Sequence, residues 1–179
     1  MTAEAWIKRD AIGESDMIFL MRGSPSGAGW WMTVGIDNKI SFTFGGVEDM
    51  FSTGKITDTN WHNVSVAISS PAGLVTFYID GKIAGTNSIA APQGSSNPLL
   101  IGVFADAIGN KTAYSDLVTD ELRISNSARS AGWIKTEYNN QSNPANFFTI
   151  AARETRLRAT TTANPNASAR KVRGNVKFR

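Results

Sequence analysis

A chain of 179 residues, 41% of them hydrophobic, suits one domain with a two-layer core. It contains no cysteine, which excludes a disulfide framework, a thiolate metal site and a cysteine nucleophile. The formal net charge of +3 is unevenly spread: residues 1–150 hold ten Lys/Arg against fourteen Asp/Glu, whereas residues 151–179 hold eight (Arg153, Arg156, Arg158, Arg170, Lys171, Arg173, Lys177 and Arg179) against Glu154 alone. The division expected is therefore a domain over 1–150 and a basic extended tail over 151–179, able to meet an acidic protein surface, nucleic acid or an anionic membrane. No apolar run is long enough to cross a bilayer, and Met1-Thr2-Ala3-Glu4 is not the basic and apolar leader of a secretory signal.

In chain order, Ala3–Lys8 (AEAWIK) alternates as a strand and Asp16–Arg22 (DMIFLMR) reads as a buried one. Gly29–Ile36 and Lys39–Phe44 flank Asp37-Asn38 as a hairpin, since Asp and Asn tolerate the left-handed turn. Gly45–Asn60 reads as irregular. Trp61–Gly85 (WHNVSVAISSPAGLVTFYIDGKIAG) then reads as a three-stranded meander. Its strands alternate with a period of two, Ser70-Pro71-Ala72-Gly73 supplies one turn, and Asp80-Gly81 supplies a tighter one. The meander has one apolar face, which requires a second sheet to cover it. Thr86–Pro98 reads as a polar linker, Leu99–Phe104 as a buried strand, Ala105–Tyr114 as a polar loop, and Val118–Ser125 as a strand carrying Asp120 on its apolar face. One helix is predicted over Ala131–Tyr138, capped by Ser130 and stopped by Asn139-Asn140, with Ile134 facing Tyr138 at i+4. Phe147–Ile150 forms a last short strand, and Val172–Phe178 alternates well enough to pair as one. The fold class expected is all-β: a two-sheet antiparallel jelly-roll sandwich with one short C-terminal helix and a basic C-terminal extension.

Five pieces carry a resemblance: AEAWIK at Ala3–Lys8, WHNVSVAI at Trp61–Ile68, VTFYIDGKIAG at Val75–Gly85, LLIGVF at Leu99–Phe104, and DELRISNSARSAGWIKTEYNNQ at Asp120–Gln141. Together they resemble the laminin-G-like, concanavalin A-like jelly-roll domains found in secreted bacterial and phage proteins. The resemblance implies one convex and one concave sheet, and a binding or structural module more often than an enzyme. It also implies one further strand ahead of AEAWIK, which this sequence lacks, so an open edge is expected beside Ala3–Lys8. Calcium at the rim is a further implication. Its oxygen ligands would come from loop residues, with Asp58, Asn60 and Asp116 as the candidates.

Glycoside hydrolysis needs two carboxylates facing one another across a sugar. Glu48-Asp49 sits in the stretch read as irregular, and Asp120-Glu121, being adjacent on a strand, should point to opposite faces. His62, the only histidine, fits the family's W-H pattern as a structural strand-end residue. Sugar binding needs an exposed aromatic platform beside amides and carboxylates. Of the pair Trp30-Trp31 one ring should face outward, with Asp106, Asn110 and Tyr114 as polar neighbours. The tail lacks any motif for sequence-specific nucleic-acid reading. The leading expectation is a non-catalytic structural or decorating subunit of a virion or extracellular surface layer. Its tail and open edge would contact other subunits. The alternative is a glycan-binding or adhesion module assisted by calcium, and the third reading is a glycoside hydrolase.

Overall fold

A computed structural model of the chain describes residues 1–21, 29–45, 48–70, 72–89, 95, 97–106 and 110–146. The expected strands at Phe147–Ile150 and Val172–Phe178, and all eight basic tail residues, lie outside them. Among the described residues there are twelve strands: β1 Thr2–Arg9, β2 Asp16–Met21, β3 Trp30–Val34, β4 Lys39–Phe44, β5 Glu48–Lys55, β6 Trp61–Ser69, β7 Leu74–Ile79, β8 Lys82–Ser88, β9 Leu99–Ile101, β10 Val103–Ala105, β11 Lys111–Tyr114 and β12 Leu117–Ser125. A helix α1, Ala131–Ser142, and a short 3-10 turn, Pro144–Asn146, follow. Sheet I has the order β12-β1-β6-β7-β8, sheet II the order β5-β4-β3-β2-β9, and β10-β11 form a separate ribbon. All strand pairs are antiparallel, and the sheets stack into the expected sandwich.

The meander is β6-β7-β8. Its second turn works because Asp80 (φ 52°) and Gly81 (φ 70°) both take the left-handed conformation of a two-residue hairpin. Gly81 is also required for space, since a Cβ there would lie 3.0 Å from that of Tyr138. Ala3, Ala5, Ile7, Val64, Val66, Ile68, Val75 and Phe77 of sheet I meet Ile18, Phe19, Trp30, Met32, Val34, Ile40, Phe42, Phe44 and Met50 of sheet II in one core. Each fully buried Val, Ile, Met or Phe among them contributes about 1.5–3 kcal/mol.

Several expectations are corrected, among them the polar loop over Ala105–Tyr114, which contains β11. Gly45–Asn60 contains β5. Its inward set is Met50, Ser52 and Gly54, which hides the alternation, and Ser52 is satisfied by accepting from Ile40 N at 3.0 Å and donating to Gly54 O at 2.7 Å. The stretch read as a linker from Thr86 begins as β8, which runs to Ser88 and crosses β5, with Thr53 Oγ1 donating to Ala84 O at 2.9 Å. Leu99–Phe104 is not one buried strand. Gly102 (φ 66°) breaks it into β9, whose Leu99 and Ile101 are exposed, and β10, which turns away to pair with β11. The open edge expected beside Ala3–Lys8 is filled, because β1 is an interior strand between β12 and β6.

Helix α1 starts where Ser130 Oγ accepts from Trp133 N at 3.2 Å. It runs one turn past the predicted stop, through Asn139-Asn140, and closes with Asn143 N donating to Asn139 O at 3.1 Å. Its buried Ile134 packs on Ala67 and Tyr78, on the face of sheet I turned away from the core. Arg9, the largest fully buried side chain, ties the two sheets at one end. Its Nε donates to Asp16 Oδ2 of β2 at 3.0 Å, and its two terminal nitrogens donate to Asn38 Oδ1 at 2.8 Å and Glu14 O at 2.6 Å.

Candidate functional site

The residues singled out from sequence are dispersed. Trp30 is only 6% exposed and stacks on Phe42 in the core at 5.5 Å, so it offers no face to a ligand. Trp31 points the other way, with its ring edge-on to Phe104 of the ribbon at 6.2 Å. It shares the outer face of sheet II with Thr33, Ser41, Thr43, Asp49 and Phe51, which lie opposite one another in register. Asp106 and Asn110 bond to each other: Asp106 Oδ1 accepts from Asn110 N at 2.8 Å and Oδ2 from Asn110 Nδ2 at 3.1 Å. Tyr114 lies at the far end of the ribbon, opposite Val103 and 70% exposed. Glu48 and Asp49 open β5 as adjacent exposed residues, and therefore do not face one another.

Of the metal candidates, Asp58 uses its side chain in local bonds, whereas Asn60 and Asp116 bond through their backbone. Asp58 Oδ1 accepts from Asn60 N at 2.8 Å and lies 3.1 Å from His62 Nε2. The backbone bond from Asn60, then the one from His62, hold the Asp58 carboxyl below its ordinary pKa. Asp116 accepts from Asp10 N through its backbone carbonyl at 3.1 Å and lines a small cleft with Lys8, Arg9 and Ser115. Among the described residues no three His, Cys, Asp or Glu side chains lie together as a group that could hold a metal ion.

A different cleft, on the outer face of sheet I, gathers the residue types that sugar recognition uses. Its floor is Trp6, which stacks on Tyr138 of α1 with centroids 5.7 Å apart and planes inclined by 20°. Trp61, 42% exposed, lies diagonal to Trp6 across the β1-β6 pair. Asp120 stands directly opposite Trp6 on β12. Gln141 and Ser142 close one side from the last turn of α1, and Glu121 completes the lining of a space of about 630 Å³.

A β-bulge shapes this cleft. Between Glu4 and Trp6 of β1 the register of β12 gains one residue, and Glu121 takes φ 50°. The extra residue reverses the alternation expected for Val118–Ser125. Asp120 leaves the apolar side, Leu122 packs against the core, and Asp120 and Glu121 line the same cleft instead of opposite faces.

Hydrogen bonds fix the walls. Trp6 Nε1 donates to Gln141 Oε1, and Gln141 Nε2 donates to Glu137 Oε2 at 2.7 Å. Arg123 binds Glu137 Oε2 at 2.9 Å, pairs with Glu121, and reaches Glu4 Oε1 at 3.7 Å. Burial raises the pKa of Glu4, and the Arg123 charge opposes that rise. Behind the cleft, His62 sits between two carboxylates, with Nδ1 2.8 Å from Asp80 Oδ2 and Nε2 3.1 Å from Asp58 Oδ1. Partial burial disfavours its charge, but the bonds to Asp80 and Asp58 outweigh this and hold its pKa above the ordinary value.

From sequence, Trp6, Trp61 and Tyr138 read only as pieces of strand or helix, and Asp120 as a carboxylate that alternation sets apart from Glu121. They meet because β12 and β6 flank β1, which periodicity does not reveal.

An antiparallel sandwich of two five-stranded sheets with one helix against its outer face defines a lectin-like jelly roll. Residues 1–135 match the family described as the concanavalin A-like lectin/glucanases superfamily, and the chain belongs to it. Solved structures similar to it include a carbohydrate-binding protein from Bacteroides ovatus, described as putative, at 17% identity and TM-score 0.60 over 75% of this chain and 39% of that one. Another is a heptameric SAP-like pentraxin from Limulus polyphemus, at 18% identity and TM-score 0.62 over 76% of this chain and 68% of that one. A third is the CBM40 of the Ruminococcus gnavus IT-sialidase, at 7% identity and TM-score 0.59 over 76% of this chain and 81% of that one. At these identities the likeness is one of fold, and the chain spans well under half the length of the Bacteroides protein. No curated protein matches the sequence.

Proposed function

We propose that this domain is a non-catalytic glycan-binding module and that its ligand lies in the cleft of Trp6, Trp61 and Tyr138. The observation that carries the proposal is the exposed Trp61 beside the stacked Trp6-Tyr138 pair, with carboxylates and a serine within the same cleft. A pyranose ring lies flat on an indole through its C–H face, while the polar groups at the edge meet its hydroxyls. The carbohydrate-binding proteins among the fold relatives support this reading. A glycan array probed with the wild-type domain and with Trp61→Ala tests it, with and without a chelator. Selective binding lost in the variant is expected, and silence of the wild type in both conditions overturns it. Binding lost on adding chelator would support the calcium expectation.

A second reading rests on the charge asymmetry of the sequence. The eight basic residues of 151–179 would anchor the module to acidic subunits of a larger assembly, a virion or an extracellular surface layer, that displays the domain outward. Deleting 151–179 should then abolish incorporation into that assembly while glycan binding persists. Normal incorporation of the truncated chain overturns the reading.

A further inference from the structure

We infer that the cleft of Trp6, Trp61 and Tyr138 selects glycans bearing a free amine, hexosamines whose nitrogen is an ammonium, over N-acetylated and acidic ones. The inference rests on the glycan-binding proposal and adds the charge of the ligand. Its basis is the composition of the wall. Three aromatic rings and two carboxylates line the cleft, and among the described residues no Lys, Arg or His does so.

The two carboxylates differ. Glu121 is paired with Arg123, a cation it shares with Glu137. Asp120 forms no ion pair among the described residues, and its hydrogen bond is the one its Oδ1 accepts from Glu121 N at 2.7 Å. The second oxygen of Asp120 is thus left to accept from a ligand, in the row of β12, β1 and β6 that also holds Trp6.

An ammonium placed there gains a charge-assisted hydrogen bond from Asp120 and the attraction of aromatic ring faces for a cation. A uronate or sulfated sugar meets Asp120 and the ring faces with like charge. An N-acetyl group replaces three N–H donors by one and removes the positive charge. Neutral sugars retain stacking and hydroxyl hydrogen bonds but gain no charge-assisted one. The bulge at Glu121 is what makes this possible, since regular alternation would turn one of the two carboxylates away from the cleft.

Isothermal titration of the full chain near pH 6, where a sugar amine is charged, tests the inference with three probes: glucosamine trimer, N-acetylglucosamine trimer and galacturonic acid trimer. The wild type should bind the glucosamine trimer at least about tenfold more tightly than the acetylated one, the scale of one charge-assisted bond, and should not bind the galacturonate. Asp120→Asn, at an exposed position, should remove that preference, while Trp61→Ala should weaken the glucosamine and N-acetylglucosamine trimers alike. Equal or tighter binding of the acetylated or acidic trimer overturns the inference, as does an unchanged preference in Asp120→Asn; both leave the glycan-binding proposal standing. If none of the three trimers binds, the inference is overturned, and the glycan array decides separately whether the broader proposal falls too.

Discussion

His62 Nδ1 lies 2.8 Å from Asp80 Oδ2, and the other oxygen of that carboxylate accepts from Asn63 N at 3.0 Å. One aspartate thereby clamps the start of β6 to the turn between β7 and β8, the turn on which Tyr138 rests. Because both ring nitrogens of His62 face carboxylate oxygens, both are best met as N–H donors, which is the imidazolium form. The folded-state pKa lies above the ordinary 6.5, so the stabilisation is complete below about pH 6.5 and is lost as pH rises through the folded value. The melting temperature should therefore fall between mildly acidic and mildly alkaline buffer, and His62→Gln should flatten that slope. An identical slope in the variant would assign it to another group.

Arg9 and Asp16 are both buried and bonded to each other across the two sheets. Removing one partner leaves an uncompensated charge in the interior. Asp16→Ala should cost about 3–5 kcal/mol by urea unfolding, while replacing both residues with apolar ones of similar volume should restore much of that loss. A cost under about 1 kcal/mol, the range of surface pairs, would mean that water reaches Arg9.

Gly81 should resist substitution for two separate reasons, its positive φ and the ring of Tyr138. The backbone term alone is about 1–2 kcal/mol for Gly81→Ala. The loss should be larger in the wild type than in a Tyr138→Ala background, and equal losses in both would leave only the backbone term.

Adjacent tryptophans should behave differently. Trp30→Ala empties a core site and should cost about 3–5 kcal/mol, whereas Trp31→Ala removes only the contact with Phe104 on an outer face and should cost less. Similar losses would place both rings in the core.

The sandwich is legible in the sequence because two of its interior strands alternate cleanly: Val64, Val66 and Ile68 in β6, Val75 and Phe77 in β7. Where the inward residues are Met50, Ser52 and Gly54, the same period is present but carries no hydropathy signal, and β5 was hidden. Ser130 marks the start of the helix in the sequence, but its end is not marked, because Asn139 and Asn140 are tolerated in a last turn that Asn143 closes. The candidate cleft was not legible at all. Trp6, Trp61, Asp120 and Tyr138 come together through strand order, and the bulge that turns Asp120 inward to the cleft has no mark in the local pattern. Trp30 and Trp31 attracted attention as a pair, yet a strand separates neighbours to opposite faces, and only the covering core decides which one is free.

The interior position of β1 bears on how the chain acquires its fold. Thr2 Oγ1 donates to Ser127 O, a partner 125 residues away, and β12 completes the row beside β1. Closing so long a loop precedes any stabilisation from the pairing, and such topologies fold slowly. During synthesis the first strand emerges long before the one that flanks it. Until residues 117–125 arrive, one side of β1 is an unpaired ladder of backbone donors and acceptors, a template for another nascent copy. Misassembly of this domain should therefore begin at its first strand, and yield in expression should depend more on chaperone supply than on the stability of the finished sandwich.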